Sequence, residues 1–234
     1  MASLQVDLDW YDAMSGNVEQ FAILDIDPPV RGFLHRPASL SGDGLVLTHG
    51  AGGNAQMPLL IALAGAFAGE GFTVLRCNMP FRQARSFGPP HPSGAARDRA
   101  GLKNAVAAIR ELTPGRIFLG GQSYGGRQAS MLLAEEPDLA SGLLLLPYPL
   151  HAPGRPDQLR TQHLPELHVP TLFVHGTNDP FGTIEEIQSA RKLIPARTDL
   201  LVVDGAGHDL GFKGKKTRDG LPELIVKAFL ELVR

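Results

Sequence analysis

The sequence predicts an α/β fold: a mainly parallel central sheet with helices on both faces and no cap domain. Two observations carry this. Short apolar runs alternate with helix-type stretches almost from end to end, the trace that successive βα units leave in a chain. Several runs, such as GLVLTHG (44–50) and GLLLLPY (142–148), are apolar without alternation, as strands covered on both faces are. At 234 residues the chain can bury one sizeable core, so a single domain over 1–234 is expected.

In chain order, a weak strand over 20–25 precedes a stronger one, VRGFLHRP (30–37). After 44–50 a helix is expected over 58–67. Pro58 suits its first turn, and Gly69 and Gly71 close it. FTVLRCN (72–78) is the next strand, and Leu102, Val106 and Ile109 recur at helical spacing within 95–112. RIFLGG is a strand and 127–135 a helix, followed by the strand at 142–148. PTLFVHG (170–176) is a strand, 184–194 a helix, TDLLVVDG (198–205) the last strand and 221–233 the last helix. Two long proline-rich loops, 78–94 and 147–170, remain. The second is where a cap would be inserted, but it is too short for one, so a shallow, largely uncapped site is expected.

Composition narrows the function classes. The 43% hydrophobic and 20% charged fractions are those of an ordinary soluble domain. A formal net charge of −2 argues against a nucleic-acid partner, which bulk positive charge would have to hold. The single cysteine, Cys77, excludes an internal disulfide and a cysteine-built zinc site. MASLQVDLDWYDA places acids where a secretory leader needs a basic patch and an apolar core. No apolar run approaches the roughly 20 residues that span a bilayer. A cytoplasmic chain without a membrane partner is expected, and the oligomeric state is left open.

In open parallel sheets, chemistry collects in the loops at the strands' carboxyl ends. Gly121-Gln122-Ser123-Tyr124-Gly125 satisfies G-x-S-x-G between a strand and a helix, the setting that a nucleophile on a sharp turn requires. A serine hydroxyl needs a base, and the base an orienting acid. Asp179, in VHGTNDP, and His208, in VVDGAGHDLG, follow two later strands. Their order of Ser, Asp, His is that of α/β-hydrolases. Asp204 is the second choice for the acid. The loop His49-Gly50-Ala51-Gly52-Gly53 after the central strand offers one oxyanion donor, the Ala51 N–H. The residue after the nucleophile, Tyr124, offers the other. His49 is then structural, holding that loop. The remaining histidines show no metal-ligand spacing, so neither metal nor cofactor is expected.

Two rival readings stay open. Gly50-Ala51-Gly52-Gly53-Asn54-Ala55 also satisfies a G-x-G-x-x-[GA] dinucleotide fingerprint. However, earlier strands precede it, and Arg76-Cys77-Asn78 ends the next strand where an acid would hold a ribose. The other rival is a hydrolase-shaped protein that binds without catalysis, since fold does not fix function.

The motifs HGAGGN, GGQSYGGR, HGTNDPFG and GAGHDL resemble those of the α/β-hydrolase superfamily over nearly the whole chain. The chain is similar to the small uncapped members related to dienelactone hydrolases. Within them it looks most like bacterial uncharacterised hydrolases, testis-expressed hydrolase-like proteins and a subunit of a chromatin acetyltransferase complex. The resemblance implies an α/β-hydrolase fold with Ser123, Asp179 and His208 as nucleophile, acid and base. Serine stands where dienelactone hydrolases have cysteine, so their lactone substrate is not carried over. The chromatin relation implies that some relatives bind rather than catalyse. The function expected is hydrolysis of a small ester or thioester. Arg82 and Arg85 are candidates to meet an anionic acid group, and Tyr148 and His151 to line the site. The basic run Lys213, Lys215, Lys216 and Arg218 reads as a solvated loop.

Overall fold

The computed structural model describes residues 18–212 and 218–234. Eight strands form one sheet: β1 (Val18–Ile23), β2 (Val30–His35), β3 (Gly44–Thr48), β4 (Thr73–Cys77), β5 (Ile117–Gln122), β6 (Leu143–Leu146), β7 (Thr171–Gly176) and β8 (Thr198–Val203). Their order is β1-β2-β4-β3-β5-β6-β7-β8. β2 pairs antiparallel with β1 and with β4, and all other pairs are parallel. The helices are α1 (Pro58–Gly69), α2 (Pro80–Ala84), α3 (Ala95–Arg110), α4 (Tyr124–Glu135), α5 (Ile184–Arg191) and α6 (Leu221–Val233).

The non-alternating runs are explained by burial on both faces. In β6, Leu143 and Leu145 join the layer under α3 and α4, while Leu144 and Leu146 join the layer under α1 and α6. The second layer is rich in aromatics. Phe229 meets Phe67 and Phe118 edge to face, at centroid distances of 5.7 and 5.3 Å. Each such pair adds about 1 kcal/mol beyond its buried area.

The chain leaves β3 toward β4 on one side, then returns across β3 to reach β5 on the other. The carboxyl ends of β3 and β5 therefore flank the point where strand order reverses. In this architecture a crevice opens there.

One element escapes sequence periodicity. Five-residue α2 lies inside the 78–94 loop, and α3's Asp98 accepts the Phe81 N–H at 3.0 Å. That cap comes from another element, and a single turn has no repeat to read. The basic run at 213–218 lies outside the described residues apart from Arg218. Among the described residues no helix is long and apolar enough to cross a membrane.

Buried and half-buried histidines make stability pH-dependent. Burial holds His35, His49 and His163 at about 4, helped by the nearby charges of Arg76, Arg82 and Arg127 respectively. An unfolded histidine titrates near 6.5, so between about 6.5 and 4 the unfolded chain binds protons that the folded chain refuses. Their contribution is complete above that window. It is lost as pH falls, at about 1.4 kcal/mol per pH unit for each group. The melting temperature should fall steadily from pH 6.5 to pH 4; a flat profile would contradict this assignment.

Candidate active site

β5 runs into α4 through one residue. Ser123 has φ 52° and ψ −118°, a conformation that costs a side-chain-bearing residue of order 1–3 kcal/mol. The turn is possible because its neighbours lack side chains. A Cβ on Gly121 would sit 2.7 Å from the Gly125 carbonyl carbon, and one on Gly125 would sit 2.5 Å from the His49 carbonyl oxygen. The motif's spacing thus follows from close backbone approach. α4 begins at Tyr124, directly after Ser123, three residues earlier than the sequence indicates. Two glycines in its first turn hide the helical pattern there.

His208, in the loop after β8, lies between Ser123 and Asp179. Its Nε2 is 2.7 Å from Ser123 Oγ and its Nδ1 is 2.8 Å from Asp179 Oδ2. A carboxylate only accepts hydrogen bonds, so Nδ1 carries the proton and Nε2 is the acceptor for the serine hydroxyl. The Asp179 carboxylate is fully buried, and its Oδ1 accepts the Phe181 N–H at 2.9 Å. The Phe181 ring lies over His208 with centroids 4.2 Å apart. Behind Asp179, buried His175 donates from Nε2 to the Gly182 carbonyl at 2.9 Å. Burial lowers its pKa, which keeps it neutral beside the acid. Asp204 is exposed and instead accepts from Thr177 Oγ1 at 3.3 Å.

The loop after β3 is held from behind. His49 accepts the Met79 N–H on Nε2 at 3.2 Å, so Nδ1 bears its proton and donates to the Gly50 carbonyl at 2.8 Å. The Gly50–Ala51 peptide is trans, so turning that carbonyl toward His49 turns the Ala51 N–H the opposite way. Neither the Ala51 nor the Tyr124 N–H has an acceptor among the described residues, and both residues line the cleft with Ser123. The glycine-rich segment does not itself open a helix, because α1 starts only at Pro58. A dinucleotide fingerprint needs that junction.

The four residues expected to contact substrate lie elsewhere. Arg82 is buried, and its guanidinium donates to the carbonyls of Ala51 and Gly53, both at 2.8 Å, and of Gly88 at 3.0 Å. It anchors the loop after β3 and has no fork left for a ligand. Arg85 points to the Pro89 carbonyl. Tyr148 is 1% exposed, with its hydroxyl donated to the Arg160 carbonyl at 2.7 Å. His151 is buried between the Ala152 carbonyl and Glu186. Each follows a strand end, as read from the sequence, but none of the four lines the cleft.

The cleft has a volume of about 930 Å³, the upper part of the range for small-molecule sites. No cap domain covers it. Pro90 and His91 from one long loop, and Pro149 and Arg160 from the other, build its walls. Arg127 and Met131 of α4 also line it. They follow Ser123 at helical spacing, and that interval was the signal available for finding them.

A family model described as alpha/beta hydrolase domain matches residues 42–229. Among solved structures, the fold is similar to that of a dienelactone hydrolase from Anabaena variabilis (TM-score 0.72, 20% identity), covering 93% of this chain and 99% of that one. It is also similar to an alpha-beta serine hydrolase homologue from Coxiella burnetii (TM-score 0.70, 19% identity), covering 90% and 96%. A third is an α/β serine hydrolase without lid from Xanthomonas campestris (TM-score 0.68, 17% identity), covering 91% and 95%.

Proposed function

Since the chain belongs to the alpha/beta hydrolase domain family, we propose that it is a serine hydrolase of carboxylic esters or thioesters with a small acyl group. The observation that carries this reading is the continuous chain from Asp179 through His208 to Ser123, at 2.8 and 2.7 Å. Nε2 of His208 takes the hydroxyl proton as Ser123 Oγ attacks the carbonyl carbon. Asp179 holds the imidazole in the required tautomer and stabilises its charged form. The amides of Ala51 and Tyr124 receive the oxyanion, where preorganised donors contribute most. His208 then gives its proton to the leaving alcohol or thiol, and water releases the acyl group by the same steps in reverse.

The test is labelling with a fluorophosphonate, which phosphonylates an activated serine. Labelling should occur and vanish in Ser123→Ala and His208→Ala. Well-folded wild-type protein that stays unlabelled would instead favour a binding module built on this fold.

Arg82 acts in this scheme as a positioning residue. Arg82→Met removes the donors that hold the Ala51 and Gly53 carbonyls, which frees the oxyanion loop. A shift of about 1 Å at a reacting group can cost on the order of 100-fold. The variant should lose about that factor in kcat, with a much smaller change in KM. An unchanged kcat would remove Arg82 from the mechanism.

A further inference from the structure

We propose that the wall of the cleft carrying Arg127 and Arg160 is a subsite for a carboxylate at the far end of the acyl group, so that the preferred substrate is a half-ester or half-thioester of a dicarboxylic acid. This rests on the serine-hydrolase reading above and names its substrate class. Both arginines line the same cleft as Ser123. Among the described residues neither guanidinium has a carboxylate at ion-pair distance, although Arg97, Arg99 and Arg116 each pair with one. Arg160 donates Nη1 to the Pro149 carbonyl at 3.1 Å, a bond that aims the fork without neutralising it. Arg127 lies against the Tyr148 phenol, and its Nε is buried without an acceptor.

The same wall contains a second buried donor. Gln128 is fully buried and accepts from Arg99 Nη1 at 3.2 Å. A guanidinium only donates, so the atom facing Arg99 must be the amide oxygen. The amide nitrogen is left without an acceptor. Arg99 is in turn fixed by Glu135 at 3.0 Å. The two arginines also burden each other: burial lowers the Arg160 pKa first, and the charge of Arg127 lowers it further. Two like charges in one half-buried wall are costly unless an anion joins them, and a planar carboxylate fits the fork of an arginine. The carboxylate that does line the cleft, Asp209, sits next to His208 and accepts the Gly211 N–H at 2.9 Å.

Arg127 follows Ser123 by one helical turn, a rise of about 6 Å. An acyl chain of adipate length spans that interval.

The experiment compares mono-p-nitrophenyl adipate with p-nitrophenyl hexanoate, which share a leaving group and a chain length. A charge-assisted hydrogen bond contributes enough for a preference of about tenfold or more in kcat/KM for the adipate ester. That preference should collapse toward unity in Arg127→Met and in Arg160→Met, and persist in part in Arg127→Lys. The ratio within one protein sample is insensitive to the fraction folded. Ser123-dependent turnover with no adipate preference overturns this proposal and leaves the hydrolase reading standing. Absence of Ser123-dependent turnover of both esters overturns the hydrolase reading. The subsite is then judged by calorimetric titration of monomethyl adipate into the Ser123→Ala protein. Binding abolished by adding Arg127→Met supports it, and absence of binding overturns it.

Discussion

Ser123→Ala is expected to lower kcat on p-nitrophenyl hexanoate by at least about 10³-fold, the loss typical of a nucleophile that acts as one unit with its base and acid. No neighbouring group replaces it. Two other serine–histidine contacts occur among the described residues, Ser130 to His163 and Ser93 to His91, both at 2.7 Å. Ser130 is fully buried, Ser93 is exposed, and neither serine lines the cleft. The amides of Ala51 and Tyr124 are backbone groups and survive the substitution, so a small residual rate above that in water should remain. The fold should survive too, because alanine occupies the same strained backbone with one atom fewer. Burst and steady-state release of p-nitrophenol in wild type and variant, with melting temperatures for both, tests this. Retention of more than a tenth of the wild-type rate by a folded variant would remove Ser123 from its proposed role.

Asp179→Asn should cost a comparable factor, about 10⁴-fold in kcat near neutral pH, while leaving the packing almost intact. The geometry dictates the reason. Oδ1 accepts the Phe181 N–H, so the asparagine must keep its oxygen there and turn its NH₂ toward His208. An NH₂ group donates, so His208 Nδ1 would have to accept and its proton would move to Nε2. That nitrogen would then face Ser123 with a hydrogen and no lone pair to take another. The prediction is specific to tautomer and distinguishes Asp179 from Asp204. Asp204→Asn should leave kcat within about twofold, as surface substitutions generally have small effects. Loss of activity in the second variant rather than the first would reverse the assignment.

How much of this was legible in the sequence differs from element to element. The strands, and the three loops bearing Ser123, Asp179 and His208, could be read because their signals are local. Apolar run length marks a strand with two covered faces, and glycines two positions either side of a serine mark a turn that admits no Cβ. Boundaries were less legible. α4 starts at Tyr124 rather than Arg127 because Gly125 and Gly126 carry no hydrophobic pattern, yet their small size is what lets the first turn of α4 approach the His49 carbonyl after β3 and the Gly121 carbonyl of β5. α2 was invisible because its cap, Asp98, comes from a separate helix.

Ligand-facing residues were the least legible. Arg82 and Arg127 look alike in sequence, each being an arginine shortly after a strand end. Only the tertiary structure separates them. It brings the Ala51, Gly53 and Gly88 carbonyls around Arg82 and consumes its donors, but among the described residues brings no carboxylate to Arg127. The sequence by itself therefore determined the fold, the order of its strands along the chain and the residue types at three strand ends. Those depend on backbone requirements and on patterns a few residues long. The folded chain alone decided that Asp179 rather than Asp204 reaches His208, that Ala51 turns its N–H away from His49, and which arginines face the cleft. Those outcomes depend on where carbonyls and carboxylates from distant segments come to lie.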